Sequence, residues 1–124
     1  MPKPYAKFVI PKDLNDRILQ AVETARNTGK IRRGVNETTK ATEKGIAKLV
    51  VIAGDVEPEE IVMHLPALCD EKKISYAYIP SKLELGRSSG IDVGASAIAI
   101  VDAGESKNLL KDITNSLENL KKAS

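Results

Sequence analysis

The chain's 124 residues, 42% hydrophobic and 29% charged, have the balance of one folded domain rather than of a disordered tail. Aromatic residues make up only 3%, with no Trp, which argues against a ring-bearing sheet of the kind that stacks on single-stranded bases. The net charge of +2 hides a division: residues 1–48 hold eleven Lys/Arg against five Asp/Glu, and residues 49–124 hold eight against twelve.

Leu14, Ile18, Ala21, Val22 and Ala25 form a helical stripe after Pro11, and Gly29 ends that helix. A short strand over about Lys30–Arg33 follows. It leads into a second helix, within RRGVNETTKATEKG (32–45), that Gly45 stops. LVVIA (49–53) is a continuous apolar run, the pattern of a strand covered on both faces. Pro58 opens the next helix with Glu57, Glu59 and Glu60 at its positive end. Ile61, Leu65 and Leu68 give its buried stripe, and Pro66 is expected to bend or split it. SYAYI (75–79) is the third strand. Ser81-Lys82-Leu83-Glu84 is a capping box that starts a short helix ending near Gly86–Gly90. ASAIAIV (95–101) is a buried strand of small and β-branched residues. Ser106 then caps a final helix with a stripe at Leu109, Leu110, Ile113, Leu117 and Leu120. The alternation αβαβαβαβα predicts an α/β fold with a sheet between helices, in one domain over 1–124. It does not fix the strand order.

Cys69 has no partner for an internal disulfide and fits a reducing compartment. No apolar run approaches the ~20 residues of a membrane span. The start, MPKPYAKFVIP, lacks the long apolar stretch of a secretory signal. A soluble, cytoplasmic protein without a membrane partner is expected.

The second helix has almost nothing to bury. Between Asn36 and Lys44 the sole aliphatic side chain is Ala41, and short helices depend on packing. Asn36 is suited to cap it, Glu37 to sit at the positive end of its dipole, and Lys40 to pair with Glu37 or Asn36 one turn on. A solvated basic face accounts for all of this. A second reading starts from the cations Arg32, Arg33, Lys40, Lys44 and Lys48 and from the free N–H groups of the helix start, which together suit a phosphate backbone. In that reading Glu37, which repels phosphate, accepts hydrogen bonds from the N–H donors of a guanine edge, while Asn36 and Lys40 meet guanine O6 and N7.

GVNETTKATEKGIAKLVVIAGDVEP, followed by IVMHLPALCDEKKISYAYIPSKLELG, resembles the L-seven-Ae family of large-subunit ribosomal proteins in its archaeal form, which binds kink-turn RNA. The resemblance runs from about Tyr5 to the last helix. It implies a three-layer α/β/α sandwich with a central mixed four-stranded sheet. It implies a target of tandem sheared G·A pairs beside a three-nucleotide bulge. The family's Asn, Glu and Lys, which read guanine edges, fall on Asn36, Glu37 and Lys40, and the preceding glycine on Gly34, where the backbone comes close to RNA. Residues that hold a flipped-out bulge nucleotide match Glu57, Ile61 and Lys82. A variable loop against the bulge matches Ile91, Asp92 and Val93. The implied RNAs are 23S ribosomal RNA, box C/D and H/ACA guide RNAs and ribonuclease P RNA. Guide-complex core proteins are implied as further partners, with a monomer when free. Val35, Gly54 and ATEKG depart from the family's commoner residues, and none removes an implied base contact.

Other constellations are weaker. Asp55, Glu57, Glu59 and Glu60 read as acids at a helix start rather than a hard-metal or acid–base site. Lys82 has two open readings, a pair with Glu57 or a solvated cation. Ile91 and Val93 are either RNA contacts or ordinary inward residues. His64 and Cys69 are expected as packed helix residues, since five residues apart they share no helical face and lack further zinc ligands. No Walker loop or GxGxxG follows a strand. A non-catalytic RNA-binding module without metal or cofactor is therefore expected. An enzyme on an α/β sandwich lacks a nucleophile with its base. A protein–protein adaptor of the same fold has no use for a guanine reader.

Overall fold

A computed structural model of the chain describes residues 11–123, with backbone alone at Glu59 and from residue 120 onward. The elements run α1 (Lys12–Thr28), β1 (Lys30–Arg33), α2 (Val35–Glu43), β2 (Leu49–Ala53), a single 3-10 turn (Glu59–Ile61), α3 (His64–Lys72), β3 (Ser75–Ile79), α4 (Lys82–Ser88) and β4 (Ala97–Asp102). A second 3-10 turn, Gly104–Ser106, leads into α5 (Lys107–Ala123). The sheet has the order β1-β4-β2-β3. β4 runs antiparallel to both β1 and β2, and β3 lies parallel to β2. It is the mixed four-stranded sheet of a three-layer α/β/α sandwich. Among the described residues, no helix is long and apolar enough to cross a membrane. The readings of the first ten residues and of the Leu120 side chain fall outside the described part.

The periodicities have direct physical consequences. The stripe Leu14, Ile18, Ala21, Val22 and Ala25 is fully packed, so α1 lays one apolar face on the sheet. All five residues of β2 are buried, as are Ala97 to Ile100 of β4, because helices cover both faces of the central strands. Leu110, Ile113 and Leu117 seat α5, with Leu109 half-buried beside them.

Three expectations are corrected. The helix expected from Pro58 divides before His64, not at Pro66: a 3-10 turn precedes α3, and Pro66 occupies the first turn of α3. A first-turn residue has no intrahelical N–H bond to lose, so Pro66 neither bends nor breaks the helix. Ile61 consequently lies exposed ahead of α3, while Val62, Leu65, Pro66 and Cys69 are buried and Leu68 is half-buried. Ser106 does not cap α5 by accepting a backbone N–H. It ends a 3-10 turn, and its buried hydroxyl donates to the Ala103 carbonyl at 2.7 Å. Asn36 is not the cap of α2 either; Gly34 holds that position, and Asn36 is the second helical residue.

Candidate nucleic-acid interface

Strand direction decides which loops meet. β1, β2 and β3 all point the same way and β4 points back, so the ends of β1, β2 and β3 and the start of β4 lie at one end of the sheet. Four backbone connections knit this end together. Gly34 N–H donates to Ala97 O at 2.8 Å, Ala53 N–H to Ser96 O at 2.9 Å, Gly54 N–H to Ile79 O at 2.7 Å and Ala95 N–H to Lys82 O at 2.9 Å. The Asp55 carboxylate accepts the Lys82 N–H at 2.9 Å. Residues far apart in the chain thus form one platform: the start of α2, the loop after β2, the start of α4 and the loop ahead of β4.

α2 begins at Gly34, whose φ of 91° and ψ of 156° belong to a region that side chains avoid. The first helical bond runs from Thr38 N–H to Gly34 O, which leaves the N–H groups of Val35, Asn36 and Glu37 at the positive end of the helix. Asn36, Glu37 and Lys40 are exposed, while Thr38, Ala41 and Thr42 are buried and Val35 is half-buried against the core. The helix therefore does bury a face, but a thin one: small side chains let its backbone lie close to the sheet. Its other end is closed by Gly45 and Ile46, whose N–H groups donate to Thr42 O and Ala41 O, the double bond of a Schellman ending.

The remaining sequence candidates divide. Lys82, the first residue of α4, is exposed at the platform. Glu57 is exposed in the loop beyond Asp55. Gly54 causes no distortion there: a Cβ would sit in ordinary contact, 3.4 Å from Ile79 O. Ile61 is 42% exposed and lies just upstream of α3. The start of α3 is tied to α2 by the 2.8 Å hydrogen bond between Thr39 Oγ1 and His64 Nε2. His64 is exposed, contrary to the expectation of a packed residue, whereas Cys69 is fully buried. Ile91 is half-buried and packs on the core, while Asp92 and Val93 are exposed, Val93 at 65%. Gly86 sets the position of that loop, since a Cβ there would run into the Val93 carbonyl oxygen.

Among the cations, Arg32 is exposed on the edge strand β1. Arg33, at the end of β1, donates Nε–H to the Ser89 carbonyl at 2.7 Å, so its side chain is tied to the end of α4. Lys44 is at the far end of α2, and Lys48 precedes β2 at the opposite end of the sheet, away from the platform. The sequence groups Lys48 with the cations around α2 as one phosphate site; the antiparallel return of α2 against the strands carries it to the other end of the sheet. Sequence reasoning missed Met63 and Leu83, which are 47% and 42% exposed near the same loops. Their signal was an apolar residue out of phase with the buried stripe of its own helix. Among the described residues no group of His, Cys, Asp or Glu gathers where a metal ion would be held.

This arrangement has counterparts in known proteins. The 15.5kD RNA binding protein of Giardia lamblia has a closely similar structure, with a TM-score of 0.90 at 34% sequence identity over 95% of this chain and 98% of that one. Residues 16–110 match the model of the ribosomal protein L7Ae/L30e/S12e/Gadd45 family. Sequence and structure agree over most of the chain, which therefore belongs to the ribosomal protein L7Ae/L30e/S12e/Gadd45 family.

Proposed function

We propose that this chain is a non-catalytic RNA-binding protein that recognises kink-turns and holds them in their bent form. The observation that carries the reading is the exposed trio Asn36, Glu37 and Lys40 on the first turns of α2, at the sheet end shared with Lys82, Glu57 and the 91–93 loop. Asn36, Glu37 and Lys40 read the paired guanines. Gly34 admits the RNA backbone. Glu57, Ile61 and Lys82 hold the flipped bulge nucleotide, and Ile91, Asp92 and Val93 back it, Ile91 chiefly by supporting the loop from the core side. Arg32 contributes charge along the edge strand, with Arg33 just ahead of α2 and Lys44 at its far end. A free kink-turn samples bent and extended states, and a ligand that prefers the bent one shifts the population. The RNAs proposed are those of the family's archaeal branch: 23S ribosomal RNA, box C/D and H/ACA guide RNAs and ribonuclease P RNA. Guide-complex core proteins, a free monomer and a cytoplasmic location belong to the same proposal.

Titration of the protein against a kink-turn RNA, the same RNA with its G·A pairs disrupted, and a plain duplex tests the reading. Glu37→Ala is expected to cost about 1–3 kcal/mol on the intact kink-turn and to blur the difference between the first two RNAs. Unchanged affinity and unchanged discrimination in that variant overturn the reader assignment.

A further inference from the structure

We infer that the end of the sheet opposite the platform is a second RNA contact, a lysine-lined cleft that takes the phosphate backbone of duplex RNA lying beyond the kink-turn. The cleft, of about 720 Å³, runs between α5 and the strand ends; Val101, Ala103 and Leu110 form its apolar floor, and Lys48, Lys107, Lys111, Thr114 and Asn115 supply its polar groups, with Asp102 as its one carboxylate. Asp102 accepts the Gly104 N–H at 2.9 Å and keeps its charge, so the lining nets two positive charges. None of the three lysines forms an ion pair with a described residue. The first turn of α5 carries no acidic residue, Glu105 standing in the 3-10 turn just ahead of it, and Lys107 sits at the positive helix end, where a cation is unfavourable. The lining thus carries three ammonium groups against one carboxylate, two of them from the half of the chain whose overall balance is acidic and Lys48 from the other.

The chemistry of the lining selects the ligand. Ammonium groups are point charges that suit phosphate without reading sequence, and the hydroxyl and amide of Thr114 and Asn115 add neutral hydrogen bonds to the same oxygens. No aromatic ring lines the cleft, so it lacks the stacking platform that captures single-stranded bases. Charge complementarity without stacking favours the backbone of a duplex. β2 spans five residues between the two ends, which at about 3.3 Å per residue places them roughly 17 Å apart. The two ends face opposite ways along the sheet, and the inference assigns the second one to RNA outside the recognised motif. The inference takes RNA as partner from the proposed function but concerns separate residues.

The test saturates the protein with a short unlabelled kink-turn RNA, then titrates in a labelled blunt duplex without G·A pairs and reads its anisotropy at several salt concentrations. The saturated protein is expected to bind the duplex. Lys107→Gln/Lys111→Gln is expected to weaken that binding on the order of tenfold per lysine near ~50 mM salt and to lower the log–log salt slope by about 2. Its affinity for the kink-turn stays at the wild-type value, which also reports that the variant is folded, and Lys107→Arg/Lys111→Arg retains duplex binding. Failure of the saturated protein to bind duplex, or wild-type duplex binding by the Gln variant, overturns the inference. So does displacement of the duplex by an acidic peptide more readily than by unlabelled duplex of equal charge. If the wild-type protein shows no preference for a kink-turn, the proposed function falls, while loss of duplex binding in the Gln variant still supports the second site.

Discussion

Substituting Gly34 by alanine separates what the backbone requires from what an RNA requires. With φ at 91° and ψ at 156°, an L-residue here pays about 1–3 kcal/mol of backbone strain. No steric overlap adds to this, because a Cβ at Gly34 meets nothing within 4 Å. For a chain of 124 residues, an unfolding entropy of about 2.1 cal/mol/K per residue amounts to about 0.26 kcal/mol/K, so the melting temperature should fall by about 4–12 °C. A domain with typical stability of about 5–15 kcal/mol stays folded at room temperature, and affinity can then be measured by calorimetry on the folded variant. The new methyl group occupies the open space beside the α2 start, and affinity for a kink-turn should fall about tenfold, roughly 1.4 kcal/mol. A variant that melts like the wild type refutes the strain argument. A destabilised variant with wild-type affinity refutes the placement of RNA against Gly34.

Three further outcomes follow from neighbouring residues. Thr38 is fully buried and its hydroxyl oxygen has no hydrogen-bond partner; Thr38→Val keeps the shape, removes the stranded polar group and should stabilise by about 1 kcal/mol, seen as a rise of about 4 °C by scanning calorimetry with RNA affinity unaltered. Gly86→Ala forces the Val93 carbonyl aside, and such overpacking should cost about 1–3 kcal/mol; affinity should fall for a kink-turn with its bulge but hardly for one whose bulge bases are removed, in parallel gel-shift titrations. Ser81 accepts the Glu84 N–H at 3.3 Å, so Ser81→Ala should destabilise by about 1 kcal/mol in urea unfolding, and Ser81→Asp should restore most of it.

Local patterns were legible and long-range ones were not. The α1 stripe, the all-buried β2 and the Ser81 cap appear in the structure as read, because each is written as a pattern of neighbouring residues. The division ahead of α3 escaped, since Pro66 reads as a breaker in a long helix and as harmless in a first turn, and the choice depends on where Val62 and Leu65 find the core. The α2 start was placed two residues late, because Asn36 is a strong capper on propensity alone while Gly34 wins through its bond to Ala97. The candidate trio was visible from its mixed charge and lack of apolar content. The company it keeps was not: Lys82, Glu57 and the 91–93 loop reach the same end only through the parallel β2–β3 pair and the reversed β4, and Lys48 is carried away by the same topology.

The thin bedding of α2 divides its residues by the kind of change they tolerate. Thr38, Ala41 and Thr42 act as spacers of fixed gauge: one added methylene on that side would lift the helix like a shim and tilt every outward side chain at once. Asn36, Glu37 and Lys40 face outward with no such constraint. Under the proposed function, reprogramming the protein toward a different pair of nucleobases is a problem of repainting three outer positions, while the inner three are left untouched.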